Sequence, residues 1–216
     1  MTARARILQR IRRAQGRGGH GPSAAEREAV GTYLRAHPRG PLPEAAVDLV
    51  AHFCDRARAA SSTWDRVARV EDAPAAVRRY LDAQALPSSG CVWPDLASLD
   101  WAGAGLALAP RAAQGDDPIG VTGAFCALAE TGTLMLVSGP GTPASVSLLP
   151  ETHVAVVPVA RIVAHMEDGW DLARSELGQL PRAVNFISGP SRTADIEQTL
   201  VLGAHGPYRV HIVLVG

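Results

Sequence analysis

Four short apolar runs in the second half of the chain constrain its fold more than any other feature. They lie at residues 132–138, 152–157, 183–188 and 209–215. Each run is rich in Val, Leu and Ile at successive positions, so both faces of the strand that it predicts are apolar. Stretches with helical spacing, at 162–177 and 195–202, lie between these runs. The alternation predicts an α/β fold in which helices flank a layered, mostly parallel sheet.

The first half of the chain predicts shorter elements around a breaker segment. Helical patterns cover 24–35, 44–60 and 73–85, and strand-like runs cover 66–70, 91–93 and 106–109. The sequence HPRGPLP at 37–43 combines proline and glycine, which interrupt helices and strands. We therefore expect an N-terminal helical arm and linker over 1–43, followed by an α/β domain over 44–216.

The arm differs from the rest of the chain in charge. Its first 25 residues hold six of the 21 arginines and no acid, so residues 26–216 carry 15 arginines against 21 acids. Nucleic-acid binding favours a basic domain, so we expect no nucleic-acid partner. The arm could be a basic tail or a transit peptide. Ile7, Leu8, Ile11 and Ala14 share one side of a helix, however, and we expect this side to dock onto the core or a partner.

Composition excludes several classes of protein. The chain has no lysine, which rules out a lysine Schiff base and a phosphate-binding P-loop. No apolar run approaches the roughly 20 residues that span a membrane, and the N-terminus has no apolar signal core, so we expect a cytoplasmic location. Cys54, Cys91 and Cys126 stand far apart without a CxxC pair. They predict buried thiols, with neither a disulfide framework nor an iron–sulfur cofactor.

The seven histidines do not predict a metal site, because none forms an HxH or HxxxH pair. His211 lies inside the apolar run VHIVLV and is interpreted as a core or interface residue. His205, in the loop GAHGP, is a candidate ligand-binding residue.

The stretch AETGTLML at 129–136 places a charged residue and a glycine directly before a buried strand. Glu130 is the only acid between Asp117 and Glu151. One interpretation is a turn that feeds the strand, in which Glu130 forms an internal pair with an arginine. The other is a ligand site, where Glu130 is catalytic and its pKa depends on hydrogen bonds or on Arg192. The ligand-binding candidates here are Gly123, Thr131, Gly132 and Thr133.

The loop SGPSRTAD at 188–195 follows a predicted strand and precedes a predicted helix. Ser191, Thr193 and Asp195 are all competent helix N-caps, which is the purely structural interpretation. Arg192 instead suits a carboxylate or phosphate, although nearby acids would repel an anion. We assign Asp195 as a second candidate catalytic residue. The ligand-binding candidates here are Gly189, Ser191, Arg192 and Thr193. Ligands bind at the carboxyl ends of parallel strands. We therefore expect this loop to lie there beside residues 130–133, which we call the ETGT turn.

The stretches AETGTLML (129–136) and ISGPSRTADIEQTLVLGAHGP (187–207) together resemble the lactate utilization protein C family, also called the LUD-domain family. The opening RARILQRIRRA (4–14) is similar as well, and the resemblance covers essentially the whole chain. It implies a Rossmann-like core similar to that of ribose-5-phosphate isomerase, glucosamine-6-phosphate deaminase and the CoA-transferases. It also implies a bacterial system that oxidises L-lactate to pyruvate alongside iron–sulfur partner proteins.

Two functions follow as hypotheses. In the first, the chain is a component of a lactate-oxidising complex whose iron–sulfur clusters reside on partner subunits. In the second, it is a stand-alone enzyme acting on a small anionic substrate such as a sugar phosphate or an acyl-CoA. The second rests on fold analogy together with Arg192 and Glu130. The residues leave open whether the chain is itself an enzyme.

Overall fold

The structure is a computed structural model that describes residues 2–17, 21–196, 199–203 and 205–216, without the side chains of residues 193–202. The chain divides into two compact units, Met1–Leu42 and Pro43–Gly216. None of the helices in these described ranges is long and apolar enough to cross a bilayer.

The first unit contains two helices, α1 (Ala3–Ala14) and α2 (Ala24–Ala36). Local signals in the sequence set the ends of α2. Ser23 Oγ accepts a hydrogen bond from Glu26 N at 3.2 Å, and the Glu26 carboxylate accepts one from Ser23 N at 2.7 Å. This reciprocal cap satisfies two backbone donors that the first turn leaves unpaired. The helix ends at His37, which is in the left-handed conformation and precedes a proline.

The second unit contains three helices and twelve strands among its described residues. The helices are α3 (Leu49–Ala59), α4 (Ala73–Ala83) and α5 (Met166–Leu177). The strands are β1 (Thr63–Val67), β2 (Ser89–Val92), β3 (Ala107–Pro110), β4 (Ile119–Gly123), β5 (Cys126–Leu128), β6 (Thr133–Val137), β7 (Thr152–Pro158), β8 (Ile162–Val163), β9 (Val184–Ile187), β10 (Arg192–Ile196), β11 (Thr199–Leu202) and β12 (Arg209–Val215).

Six strands form a fully parallel sheet in the order β1-β12-β7-β4-β2-β3. Two neighbouring interior strands, β12 and β7, are the runs RVHIVLV and THVAVVP. One face packs against α4 through a core that includes Ala76, Val77 and Leu81. The opposite face packs against α3 and a second sheet. Because both faces of the parallel sheet are buried, its strands carry apolar residues at nearly every position. A parallel sheet with helices on its two faces confirms the predicted α/β class.

The second sheet has four strands in the order β8-β5-β6-β9. The pairs β5–β6 and β6–β9 are antiparallel, whereas β5–β8 is parallel. Its outer face packs against α5 around Cys126, Leu128 and Met135. The runs predicted at 132–138 and 183–188 therefore form strands, but they belong to this sheet and not to the parallel one.

Several predicted elements differ from the structure. The segment 195–202 was predicted as a helix and is wrong, because β10 and β11 form an antiparallel hairpin there. The strand expected at 66–70 lies earlier, in β1, and the helix expected from 162 begins at Met166, after the short strand β8. The strands β4 and β5 were not predicted, since only Ala124 and Phe125 separate two runs that are each too short to show a period.

Candidate functional site

A row of three hydroxyl groups joins the ETGT turn to the end of β9. Thr131 Oγ1 donates to Thr133 Oγ1 at 2.7 Å, and Thr133 Oγ1 lies 2.6 Å from Ser188 Oγ. The pairing of β6 with β9, with Leu134 opposite Ile187, brings these residues together. Thr133 is buried, whereas Thr131 and Ser188 are exposed. The two sequence stretches singled out for a ligand site therefore adjoin in space.

Both glycines of this region lie against the last turn of α3. Gly132 has a φ of +65° and Gly189 a φ of +78°, values that favour glycine. A Cβ atom at Gly132 would lie 2.2 Å from Ala57 N, and one at Gly189 would lie 2.0 Å from Ala60 O. The space beside each Cα is therefore filled by the backbone of α3.

This junction lies at the amino end of the parallel strands. The last turn of α3 leads through residues 61 and 62 directly into the start of β1. The expected position at the carboxyl edge of the sheet is therefore wrong for these loops. The reason is topological, because β6 and β9 belong to the antiparallel sheet and do not share the direction of the parallel strands.

Glu130 pairs with a histidine at the start of α5. Its Oε2 atom lies 2.9 Å from His165 Nδ1, and its Oε1 atom accepts a hydrogen bond from Met166 N at 3.0 Å. Because an ionised carboxylate only accepts, its bond to this imidazole requires the tautomer with a proton on Nδ1. The carboxylate also lies at a helix N-terminus, where the backbone N–H groups stabilise negative charge. The predicted pairing of Glu130 with Arg192 is wrong.

Arg192 and Ser191 lie at the base of the β10–β11 hairpin. The Arg192 guanidinium donates a hydrogen bond to Ser61 Oγ. Ser191 N donates to Pro207 O at 2.9 Å, and Ser191 O accepts from Gly203 N at 2.9 Å. The Ser191 hydroxyl accepts from the backbone N–H of His205 at 3.4 Å. Because strands follow this loop, the helix-capping interpretation of the loop is wrong. Thr193 and Asp195 lie in β10, and their side chains are outside the described residues.

The remaining predicted residue, Gly123, lies in a different place. It ends β4 and lines a cleft of about 300 Å³ at the carboxyl ends of β2 and β4. Ligands of open α/β sheets bind at this edge, and the volume is at the lower end of ligand sites. The lining residues are Trp93, Asp95, Leu96, Gly123, Ala124, Phe125, Val137 and Thr142. We take this cleft as the candidate site that the fold itself indicates.

Backbone contacts hold the walls of the cleft in place. Trp93 Nε1 donates to Pro143 O at 3.0 Å, and Thr142 Oγ1 donates to Val137 O at 2.8 Å. A Cβ atom at Gly141 would come within 1.7 Å of Asp95 Oδ1, so only glycine lets the carboxylate lie against that loop. Among the described lining residues Asp95 carries the charge, and a carboxylate accepts hydrogen bonds but repels anions. The cleft therefore suits an apolar or aromatic group with a hydrogen-bond donor.

Sequence reasoning missed Trp93, Asp95 and Thr142. The available signal was positional, since Trp93 ends a predicted strand and Asp95 comes two residues later, where side chains reach the carboxyl edge.

The cysteines are separate and buried. Cys91 Sγ lies 3.6 Å from Ile119 O, and Cys126 Sγ lies 3.6 Å from Met135 Sδ. Burial raises the pKa of the Cys91 thiol to about 12 and that of the Cys126 thiol to about 11. Both thiols are therefore protonated and unreactive near neutral pH. Among the residues that the structure describes, no three His, Cys, Asp or Glu side chains are grouped to hold a metal ion.

Comparison with known proteins gives one family and one fold. The sequence model of the LUD domain matches residues 95–215. "Lactate utilization protein C" of Halalkalibacterium halodurans is 44% identical over 111 residues, which are 50% of this chain and 47% of that protein. The protein of the same name from Bacillus subtilis is 42% identical over 100 residues, 45% of this chain and 42% of that protein. The chain thus spans about half the length of the curated relatives it matches.

The solved structures contain a related fold. The crystal structure of a DUF162 family protein from Deinococcus radiodurans matches with a TM-score of 0.59 and 20% sequence identity. The match covers 81% of this chain and all of that one.

Proposed function

The chain belongs to the LUD-domain family, and from that membership we propose that it is a component of a bacterial system that oxidises L-lactate to pyruvate. Iron–sulfur partner proteins carry the electrons in this proposal. The proposal rests on the match to the LUD-domain model over residues 95–215. It also rests on relatives that are named for lactate utilization and are 42% to 44% identical to this chain.

The burial of the three cysteines supports the placement of the iron–sulfur clusters on partner proteins. Iron–sulfur clusters are held by thiolates from several cysteines. The three cysteines here are buried, and burial raises the pKa of Cys91 and Cys126 far above neutral. Protonated thiols in an apolar core do not ligate iron. In this proposal the clusters therefore belong to the partner subunits.

Growth tests the proposal directly. A strain of the native host that lacks the chain should not grow on L-lactate as sole carbon source, and a plasmid copy of the chain should restore growth. Growth on pyruvate is the control, because the proposed step lies before pyruvate. If the deletion strain grows on L-lactate at the parental rate, the proposal is wrong.

A second measurement addresses the partners. The tagged chain, purified from lactate-grown cells, should bring with it proteins whose visible absorption is that of iron–sulfur clusters. Purification of the chain alone, from cells in which it is required for growth, would mean that it acts without such partners.

The alternative is a stand-alone enzyme for a small anionic substrate. The observation that favours it is the exposed Arg192, which projects a guanidinium beside Ser61 and suits a carboxylate or phosphate. A ligand that binds the folded state raises the melting temperature. A panel of sugar phosphates, CoA esters and hydroxy acids should then stabilise the protein but not Arg192→Gln. Arg182→Gln, an exposed arginine that precedes β9 and so lies at the other end of that strand, serves as the matched variant that keeps the response. A flat response across the panel removes this alternative.

A further inference from the structure

Helix α1 carries a concentration of positive charge. Five arginines lie on it, namely Arg4, Arg6, Arg10, Arg12 and Arg13, and residues 2–17 contain no acidic side chain. All five are exposed. None of them has a carboxylate partner among the described residues of its own unit. Arg17, just after the helix, differs in that it pairs with Glu26 at 2.7 Å.

The same helix exposes an apolar stripe. Ile7, Leu8 and Ile11 are 59%, 38% and 47% exposed. Their spacing places them on one side of α1, where Ile7, Ile11 and Ala14 also border a shallow groove with Arg10. Arginines flank this stripe on both sides of the helix. The long arginine side chains can lie along apolar material and still keep their charge in a polar layer.

The positive charge of α1 restricts which surfaces can bind its apolar stripe. Two copies of α1 packed against each other would bring ten arginines together, so self-association through this face is disfavoured. The remainder of the chain, residues 26–216, carries 15 arginines against 21 acids. An occupant that satisfies both features along the length of α1 presents an apolar layer beneath a negatively charged one. The boundary between headgroups and acyl chains in an anionic bilayer has this arrangement.

We propose that α1 binds the surface of an anionic lipid bilayer, lying in its plane with Ile7, Leu8 and Ile11 inserted below the headgroups. The acidic remainder of the chain is repelled by such a surface, so attachment depends on α1.

Helix α2 supplies a matched control within the same unit. Val30, Tyr33 and Leu34 are 59%, 65% and 61% exposed, so α2 has an apolar stripe as open as that of α1. Its charges balance, however, with two glutamates (Glu26, Glu28) against two arginines (Arg27, Arg35). If net positive charge directs the binding, changes to the α2 stripe should leave it intact.

Co-sedimentation of the full chain with vesicles tests the proposal. The chain should sediment with phosphatidylcholine vesicles that contain phosphatidylserine and stay in solution with pure phosphatidylcholine. Each arginine near such a surface strengthens binding by about fivefold. The double variant Arg10→Gln/Arg13→Gln should therefore bind about 30-fold more weakly. Salt at about 1 M, where the Debye length is about 3 Å, should release the wild-type chain.

The apolar contribution is tested separately. Ile7→Ser/Ile11→Ser should lose binding to the anionic vesicles, whereas Val30→Ser/Leu34→Ser should bind as the wild type does. Circular dichroism and the melting temperature check that each variant stays folded, which is expected because all four positions are exposed. Equal binding to both vesicle types, or no binding to either, overturns the proposal. Binding to polyglutamate without binding to anionic vesicles also overturns it, and indicates an acidic protein partner instead.

Discussion

Gly132 has two separate reasons to be glycine, its backbone conformation and its contact with α3. Gly105 has a similar φ, +74° against +65°, but a Cβ atom there would meet only the flexible side chain of Arg78, at 3.5 Å from its Nη1 atom. Gly105→Ala should therefore cost only the conformational term, about 1 kcal/mol. Gly132→Ala adds a clash with Ala57 N and should cost about 3 kcal/mol or more. Urea unfolding measures both, and equal costs would contradict the packing account.

Glu130 is the residue for which structure and function can be separated most directly. Its side chain is 22% exposed, is hydrogen-bonded to His165 Nδ1 and accepts a hydrogen bond from Met166 N. Glu130→Gln keeps one acceptor oxygen, so the free energy of unfolding should fall by only about 1 kcal/mol. If Glu130 serves the proposed function, growth on L-lactate should nevertheless be lost.

The control for that variant is another acid of the same type. Glu151 is largely exposed and lies 4.0 Å from Arg209, so Glu151→Gln should alter neither stability nor growth. Normal growth of the Glu130→Gln strain would mean that Glu130 only ties the turn to α5.

At the scale of elements, β6 is the strand on which the second sheet depends. Leu134 is fully buried between this sheet and the parallel sheet. Leu134→Ala should lower the free energy of unfolding by about 2–5 kcal/mol, through lost burial and the cavity left behind. Leu180 is 58% exposed, and Leu180→Ala should change it by less than about 0.5 kcal/mol. Similar losses in the two variants would mean that β6 is not a core strand.

The elements that the sequence predicted correctly are those whose pattern is local. The runs that became β7 and β12 are long, continuous and bounded by turn residues, so no other element fits them. The segment 195–202 was different, because Ala, Glu, Gln and Leu suit a helix and Ser191 resembles a cap. The segment forms strands because β10 pairs with β11. The propensity of individual residues for helix or strand does not predict such pairing.

The candidate site was harder to predict than the fold, for the same reason. The cleft takes its walls from segments that follow β2, β4 and β6, so residues far apart in sequence meet there. Glu130 and its partner His165 are likewise 35 positions apart. Sequence position identified Gly123 and Glu130 as unusual, but the identity of their neighbours depends on how the two sheets pack.

At the scale of the whole molecule, two buried histidines link stability to pH. His153 and His211 lie in the neighbouring interior strands β7 and β12, and burial lowers the pKa of each to about 4. Their usual pKa is about 6.5. Between these values the unfolded chain binds more protons than the folded one. The free energy of unfolding should therefore fall as the pH drops from about 6.5 to about 4, by up to about 1.4 kcal/mol per pH unit for each histidine.

Urea unfolding at a series of pH values measures this dependence. His211→Gln should flatten the slope within that window, whatever its effect on stability at pH 7. Leu180→Ala, an exposed substitution that removes no titrating group, should leave the slope unchanged. An unaltered slope in the His211 variant would mean that this imidazole does not titrate on unfolding.

The last turn of α3 lies beneath Gly132 and Gly189 alike, and it also fixes the start of β1. Each loop loses its backbone packing against that turn if either one moves. The turn, the two loops and the first residues of β1 should then open as one cooperative unit in native-state hydrogen exchange. The amide protons of Gly132, bonded to Leu128 O, and of Ser62, bonded to Ala57 O, are the reporters. Both should exchange with one common opening free energy, although 70 positions separate them along the chain.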